Sequence, residues 1–298
     1  MNLYTSTTAT FGGLQSEFAD ADYVIIGVPF DITSTFRSGS RFAPLAIREA
    51  SLNIEAYSFR AGMDLEELKL HDAGDLHMTG DVEETLRRLS LVASEVLNSG
   101  KTPAFLGGEH TLSLGTVRGI DKNLAVLSFD AHLDLRDEYV GQSVCHATVM
   151  RRISEVIKPS VLVEVGTRAV CKEEVEYAED QGIAHITPHR IMQIGVEETA
   201  REINAHLTGC DRVYLTVDMD VLDPAFAPAV QNPEPEGLST TVLLDLLSKV
   251  CDNRVVAFDV VEVTPHYDSG VTAIQAAKVI FEILSYLQRG RKAASATK

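Results

Sequence analysis

Basic residues are scarce in this 298-residue chain: 26 Lys and Arg stand against 43 Asp and Glu, a formal net charge of −17. That balance excludes a nucleic-acid partner, because phosphates need a basic footprint. It suits a cationic substrate or a cluster of metal ligands, and it also keeps a surface soluble. Cysteines are few, and the four present (Cys145, Cys171, Cys210, Cys251) form no CxxC pair. A zinc knuckle and a disulfide-dense framework are thereby excluded, and a reducing compartment is expected. No apolar run approaches the ~20 residues that span a bilayer. The opening stretch, MNLYTSTTATFGGLQSEFADAD, lacks the basic and apolar regions of a secretion signal and the arginines of a transit peptide. The expectation is a cytoplasmic protein with no membrane partner. Aromatics reach only 6%, but 45% of the residues are hydrophobic, so a sizeable aliphatic core can form.

Linkers and internal repeats are missing as well. One domain over 1–298 is expected, with an N-terminal segment over about 1–20 and a frayed tail over 289–298. Short β-branched runs predict strands at 23–28, 68–72, 102–106, 124–129, 161–166, 184–187, 212–217 and 255–261. Several, such as VIIGV, AVLSF, VYLTV and VVAFDVV, are apolar on both parities, as strands buried on both faces are. Helical periodicity marks 44–57, 81–98, 196–207, 239–250 and 270–287, with Asp81 and Glu84 at capping-box spacing. The alternation predicts an α/β fold: a three-layer α/β/α sandwich around a mostly parallel, roughly eight-stranded sheet. The proline-rich tract 223–238 interrupts it and reads as a functional loop.

The chemically informative residues follow the apolar runs. GGEH (107–110), SFDAHLD (128–134) and VDMD (217–220) each stand at a strand's carboxyl end, where open α/β sheets form their ligand crevice. Convergence there brings together His110, Asp130, His132, Asp134, Asp218 and Asp220. Four carboxylates at that range repel one another strongly, and divalent cations remove the difficulty. Mixed imidazole and carboxylate ligation suits manganese or a similar ion. On extended backbone, DxHxD and DxD project their side chains to one side. A lone HxD or DxD is a weak signal, since strand-end acids often cap helices; three such pieces at three strand ends point to a binuclear site.

GGEH, SFDAHLD and VDMDVLDP (217–224) resemble the three metal-binding motifs of the ureohydrolases, the arginase and agmatinase family. The resemblance runs from about Gly27 to Pro265 and includes GVPFD (27–31), RSGSRFAP (37–44), VGTR (165–168) and VVEVTP (260–265). It implies two Mn2+ ions per subunit, bridged by Asp130 and Asp218. His110 and Asp134 then complete one site, and His132 and Asp220 the other. It further implies that a hydroxide held between the ions attacks a guanidinium carbon, releasing urea and an amine. Uncoordinated Glu262 pairs with the guanidinium through bidentate hydrogen bonds. His146, in VCHAT (144–148), moves protons to the leaving amine, a task its neutral-range pKa suits. Homo-oligomers, trimers or hexamers, are implied by the resemblance alone.

The substrate is then a small cationic guanidino compound. LRDEY (135–139) looks like the agmatinase version of the loop after DxHxD, and the acids Asp137 and Glu138 suit a cationic or neutral tail. Agmatine ranks first, arginine or another guanidino acid second. A catalytically silent, metal-binding scaffold is the reading from another class. Two departures stand out: Ala229, Gln231 and Glu236 occupy positions where glycines are common, adding bulk and restricting positive φ, and Glu109 stands where many relatives carry Asp.

Overall fold

The computed structural model describes residues 4–6, 9–120, 123–156 and 161–296. The strands are β1 (Thr5–Ser6), β2 (Tyr23–Gly27), β3 (Tyr57–Ser58), β4 (Met63–Asp64), β5 (Leu70–Leu76), β6 (Thr102–Leu106), β7 (Ala125–Phe129), β8 (Val161–Val165), β9 (Ala184–Ile186), β10 (Val213–Asp218) and β11 (Val255–Val261). Helices are α1 (Ala43–Ser51), α2 (Val82–Asn98), α3 (Leu112–Arg118), α4 (Val149–Val156), α5 (Lys172–Gln181), α6 (Pro188–His206), α7 (Thr240–Val250) and α8 (Val271–Ala296). Nine strands form one sheet in the order β1-β5-β2-β6-β11-β10-β7-β8-β9. The eight from β5 to β9 are parallel, and β1 adds an antiparallel edge against β5.

Strand alternation sorts the core into the expected layers. Ile25, Leu106, Leu127, Val163, Leu215 and Phe258 pack with residues of α1, α6, α7 and α8. The opposite parity, with Val126, Leu162, Tyr214 and Ala257, packs with α2, α3, α4 and α5. Central strands are apolar on both parities because both faces are covered. Asp81 caps α2 by accepting from the Glu84 amide at 2.8 Å, but Glu84 turns its carboxylate to Arg87 and Arg88, so only half of the expected box forms.

Several boundaries differ from expectation for identifiable reasons. β5 runs on to Leu76, its acids concealed in the sequence but paired in the fold: buried Arg48 of α1 holds Asp72 at 2.8 Å and Asp75 at 2.5 Å. α1 stops at Ser51, and β3 occupies the end of the stretch expected to be helical. α6 begins at Pro188, with Thr187 capping the Arg190 amide, and carries a break at Gly195 (φ 79°) that hides its first half from periodicity. Residues 289–296, expected as a frayed tail, continue α8. There Arg289 donates to the Arg60 and Ser248 carbonyls, and Lys292 pairs with Glu67 at 2.7 Å. Residues 297–298 lie outside the described residues.

Candidate metal centre

Four neighbouring central strands, in the order β6-β11-β10-β7, deliver the chemistry at their carboxyl ends. β6 runs into Gly107 and Gly108, where only glycine fits: an added Cβ would lie 2.5 Å from Val261 Cγ1 at the first and 2.1 Å from the Phe30 carbonyl oxygen at the second. That close passage lets the Glu262 amide donate to the Gly108 carbonyl at 2.8 Å. The His110 amide in turn donates to Glu262 Oε1 at 2.6 Å. Thr216 Oγ1 lies 3.1 Å from His110 Nε2, which leaves Nδ1 to face the cluster.

His110 Nδ1 lies 3.0 Å from Asp130 Oδ2, 3.2 Å from Asp134 Oδ2 and 3.4 Å from Asp218 Oδ2. His132 Nδ1 lies 3.1 Å from Asp220 Oδ2 and 3.5 Å from Asp130 Oδ1. Asp130 thus turns one oxygen toward each imidazole. The route differs from simple strand alternation. β7 ends at Phe129, and Asp134 reaches the cluster through a left-handed backbone (φ 51°). Asp220 sits in a 3-10 turn over Met219–Val221, its amide bonded to Asp218 Oδ1 at 2.9 Å. Glu262 also holds a left-handed conformation (φ 69°). Non-glycine residues adopt such backbones at a cost of about 1–3 kcal/mol, which places strain at this crevice.

Electrostatics make the same point. Burial pushes the Asp218 carboxyl well above the usual range, and neighbouring Asp220 and Asp130 add to it. Asp134 is pushed up to about 7 by burial and by Asp130. Burial opposes the charge of His110, yet its contacts with Asp130, Asp134 and Asp218 hold the imidazole well above the histidine range. Burial likewise raises Asp130, but the two imidazoles win and hold it low. His110 Nδ1, Asp130 Oδ2 and Glu262 Oε2 are buried without a hydrogen bond. Such orphaned donors and acceptors, clustered and of mixed imidazole and carboxylate type, fit divalent cations. Among the described residues two groups qualify on distance, His110-Asp130-Asp134 and Asp130-His132-Asp220, with Asp130 common to both.

Above the cluster opens a cleft of about 430 Å³, lined by His132, Asp134, Asp218, Asp220, Glu262 and His146 among others. His146 is therefore at the wall of the same cleft. Burial and nearby His132 push its pKa down to about 4, so it stands neutral at pH 7 and outside the neutral range expected for it. The acids Asp137 and Glu138 are not in the cleft lining; Asp137 pairs with Arg152 at 2.6 Å. Glu174 and Glu234 line it instead. Arg168, read only as a strand-end motif, donates to the carbonyls of Asp220 (2.8 Å), Glu234 (2.7 Å) and Pro235 (2.8 Å), tying the 3-10 turn to the proline-rich loop. Of the three expected glycine positions, only Glu236 takes a positive φ (63°). Thr216 and Arg168 carry no local signal, because their partners come from other segments.

This sheet, with its imidazole and carboxylate crevice at the strand ends, defines a metal-dependent α/β hydrolase. The chain belongs to the arginase family, whose profile matches residues 21–285. It is 37% identical over 275 residues to an agmatinase of Bacillus subtilis (strain 168), covering 90% of this chain and 92% of that protein. Among solved structures it is similar to the agmatine ureohydrolase of Thermoplasma volcanium, with a TM-score of 0.87 at 36% identity, covering 93% and 94% of the two chains. The proclavaminate amidino hydrolase from Streptomyces clavuligerus gives a TM-score of 0.86 at 31% identity, covering 96% and 99%.

Proposed function

We propose that this protein hydrolyses the guanidino group of agmatine, giving urea and putrescine and so serving polyamine synthesis. The observation that carries the reading is the shared carboxylate: Asp130 faces His110 at 3.0 Å and His132 at 3.5 Å, so two cation sites meet on one residue. His110, Asp130, Asp134 and Asp218 would hold one ion, and Asp130, His132, Asp218 and Asp220 the other, with manganese suited to the donors. When bound, the two cations supply the charge that lowers the pKa of water enough to make a nucleophile near neutral pH.

The remaining roles belong to the chain itself. Glu262 lines the cleft, is 2% exposed, is not among the cation-binding groups, and has Oε2 buried without a partner. A guanidinium offers paired N–H donors and a compensating charge, which orients its planar carbon over the cluster. His146, neutral and with Nδ1 unpartnered, is free to accept the proton that the attacking water releases and to pass it to the departing amine as the C–N bond breaks. Glu234 gives the cleft a negative rim for the substrate's distal amine. One observation favours arginine or another guanidino acid instead: Arg136 lines the same cleft. It already faces Glu174 at 3.8 Å and the Tyr139 ring at 5.1 Å, which leaves agmatine the better fit.

We further assign one domain, the cytoplasm and a homo-oligomer of three or six subunits. Among the described residues no helix is long and apolar enough to cross a membrane, and light scattering measures the subunit count. Urea release from agmatine, arginine and 4-guanidinobutyrate in manganese tests the activity. Turnover of arginine but not agmatine overturns the substrate. Turnover no higher than that of an Asp130→Asn control overturns the enzyme and leaves the silent scaffold.

A further inference from the structure

Two of the residues that depart from the family pattern, Glu109 and Gln231, meet at a single residue. Ser34 Oγ lies 3.3 Å from Glu109 Oε2 and within hydrogen-bond distance of the Gln231 amide. Glu109 also accepts from the Thr33 amide at 2.9 Å and from the hydroxyls of Thr33 and Thr111. Gln231 and Glu109 are both 0% exposed, and neither is in the cleft lining. A serine hydroxyl has one proton. Gln231 Oε1 is its nearer acceptor and Glu109 Oε2 the farther, while Gln231 Nε2 is buried without a partner. Burying an amide so incompletely satisfied is costly, which argues for a role beyond filling space.

The anchored segment is 31–37, and its apolar residues hold it poorly: Ile32 is 43% and Phe36 68% exposed. Its ties are polar. Arg37 donates to the Pro228 carbonyl at 3.1 Å at one end, and Ser34 meets Gln231 in the middle, so both reach the proline-rich loop. That loop is fastened at its base, where the Gln231 amide donates to the Glu262 carbonyl at 3.3 Å and Val230 bridges Val263. Between the ties, Thr35 lines the cleft and sets Oγ1 3.2 Å from His146 Nε2.

We propose that Gln231 is a positioning residue: through Ser34 and Glu109 it pins the 31–37 segment to the proline-rich loop and so holds Thr35 against His146. The inference rests on the reading above for its kinetic consequence, but not for its structural one. The test uses the full-length, manganese-loaded protein and its Gln231→Ala, Ser34→Ala, double and Gln231→Met variants. Amide hydrogen exchange over 32–36 and kinetics with agmatine are measured on each.

Each alanine variant should speed exchange of the segment on the order of tenfold and lower kcat/KM about tenfold, chiefly through kcat, because the segment seats a proton carrier. The double variant should be no worse than the poorer single one, since the residues act as a unit. Gln231→Met keeps the bulk and should fail to restore either property. Unchanged exchange in Gln231→Ala overturns the proposal, as do losses that multiply in the double variant or full recovery in Gln231→Met. Should the wild type release urea from no guanidino compound, the functional reading fails, while the exchange comparison still decides the clamp.

Discussion

Glu262→Gln separates the charge of the proposed substrate anchor from its shape. The amide oxygen can keep the bond from the His110 amide, now 2.6 Å long, so the floor of the crevice stays in place. What changes is the unpartnered atom: Oε2 becomes an NH2 that opposes a guanidinium N–H. Hydrogen bonds to charged groups contribute about 1.5–3 kcal/mol, against about 0.5–1.5 for neutral pairs. Removing the charge therefore weakens substrate binding and transition-state stabilisation by roughly 3 kcal/mol, and kcat/KM should fall on the order of 10²-fold. Stability should move the other way. Burial, and then Glu109, hold the Glu262 carboxyl well above its ordinary 4.5. Between those two pKa values the folded protein binds more protons than the unfolded chain, so wild-type stability falls as pH rises above 4.5. The metal-free Gln variant lacks that loss, and its Tm advantage should grow with pH. Urea-release kinetics with parallel metal analysis, and thermal unfolding across pH, measure both halves. A variant within about threefold of wild-type kcat/KM at unchanged metal content refutes the assigned role. One that unfolds below wild type at about pH 8 refutes the electrostatics.

Asp130 and Asp220 should differ in their effect on metal content. Asp130→Asn disrupts both groups and should drop bound manganese from about two ions per chain to less than one, whereas Asp220→Asn should leave about one, by elemental analysis. Protons compete with the cations, because Asp134 is pushed up to about 7 and both imidazoles are held high. Manganese affinity should therefore strengthen as pH rises through about 7, with protons released in calorimetry, and a flat profile contradicts the clustering. Arg48→Met strands two acids, fully buried Asp72 and partly buried Asp75. It should cost about 3–5 kcal/mol in urea denaturation, and a loss under about 1 removes the case for that ion-pair network.

The parallel strands were legible because burial on both faces writes itself as continuous apolarity, and the ligand motifs because each follows such a run. Helices α3 and α5 were not legible for opposite reasons. Leu112 to Val117 are buried without a break, so α3 has no polar stripe, while α5 (KEEVEYAEDQ) has too few apolar residues to show one. What escaped altogether is lateral. Asp259, Thr216, Ser128 and Glu164 stand side by side in register across β11, β10, β7 and β8, all fully buried. Thr216 meets His110 at 3.1 Å, while Ser113 donates to Asp259 at 2.6 Å. Each looks like an isolated polar residue in an apolar run, since a sequence records neighbours along a strand and not across a sheet. The distal pocket was misread for a related reason: Asp137 adjoins the motif in sequence but turns away to Arg152, and Glu174 and Glu234 come from elsewhere.

The order of the strands explains why metal and fold are joined. β6 and β7 are consecutive in the sheet-forming part of the chain but not neighbours in the sheet; β11 and β10, the last two strands in the chain, lie between them. His110 follows β6, Asp130 to Asp134 follow β7, and Asp218 to Asp220 follow the inserted β10. The ligand set is therefore complete only when the C-terminal strands have docked between the earlier two. In the docked arrangement the buried carboxylates of Asp134 and Asp218 are both brought against Asp130, a state that burial and like-charge repulsion oppose. Cations that bind only the docked arrangement pull the equilibrium toward it by mass action. The crowding that makes the centre reactive thus also makes the ions a closure for the switch point at which the sheet is assembled.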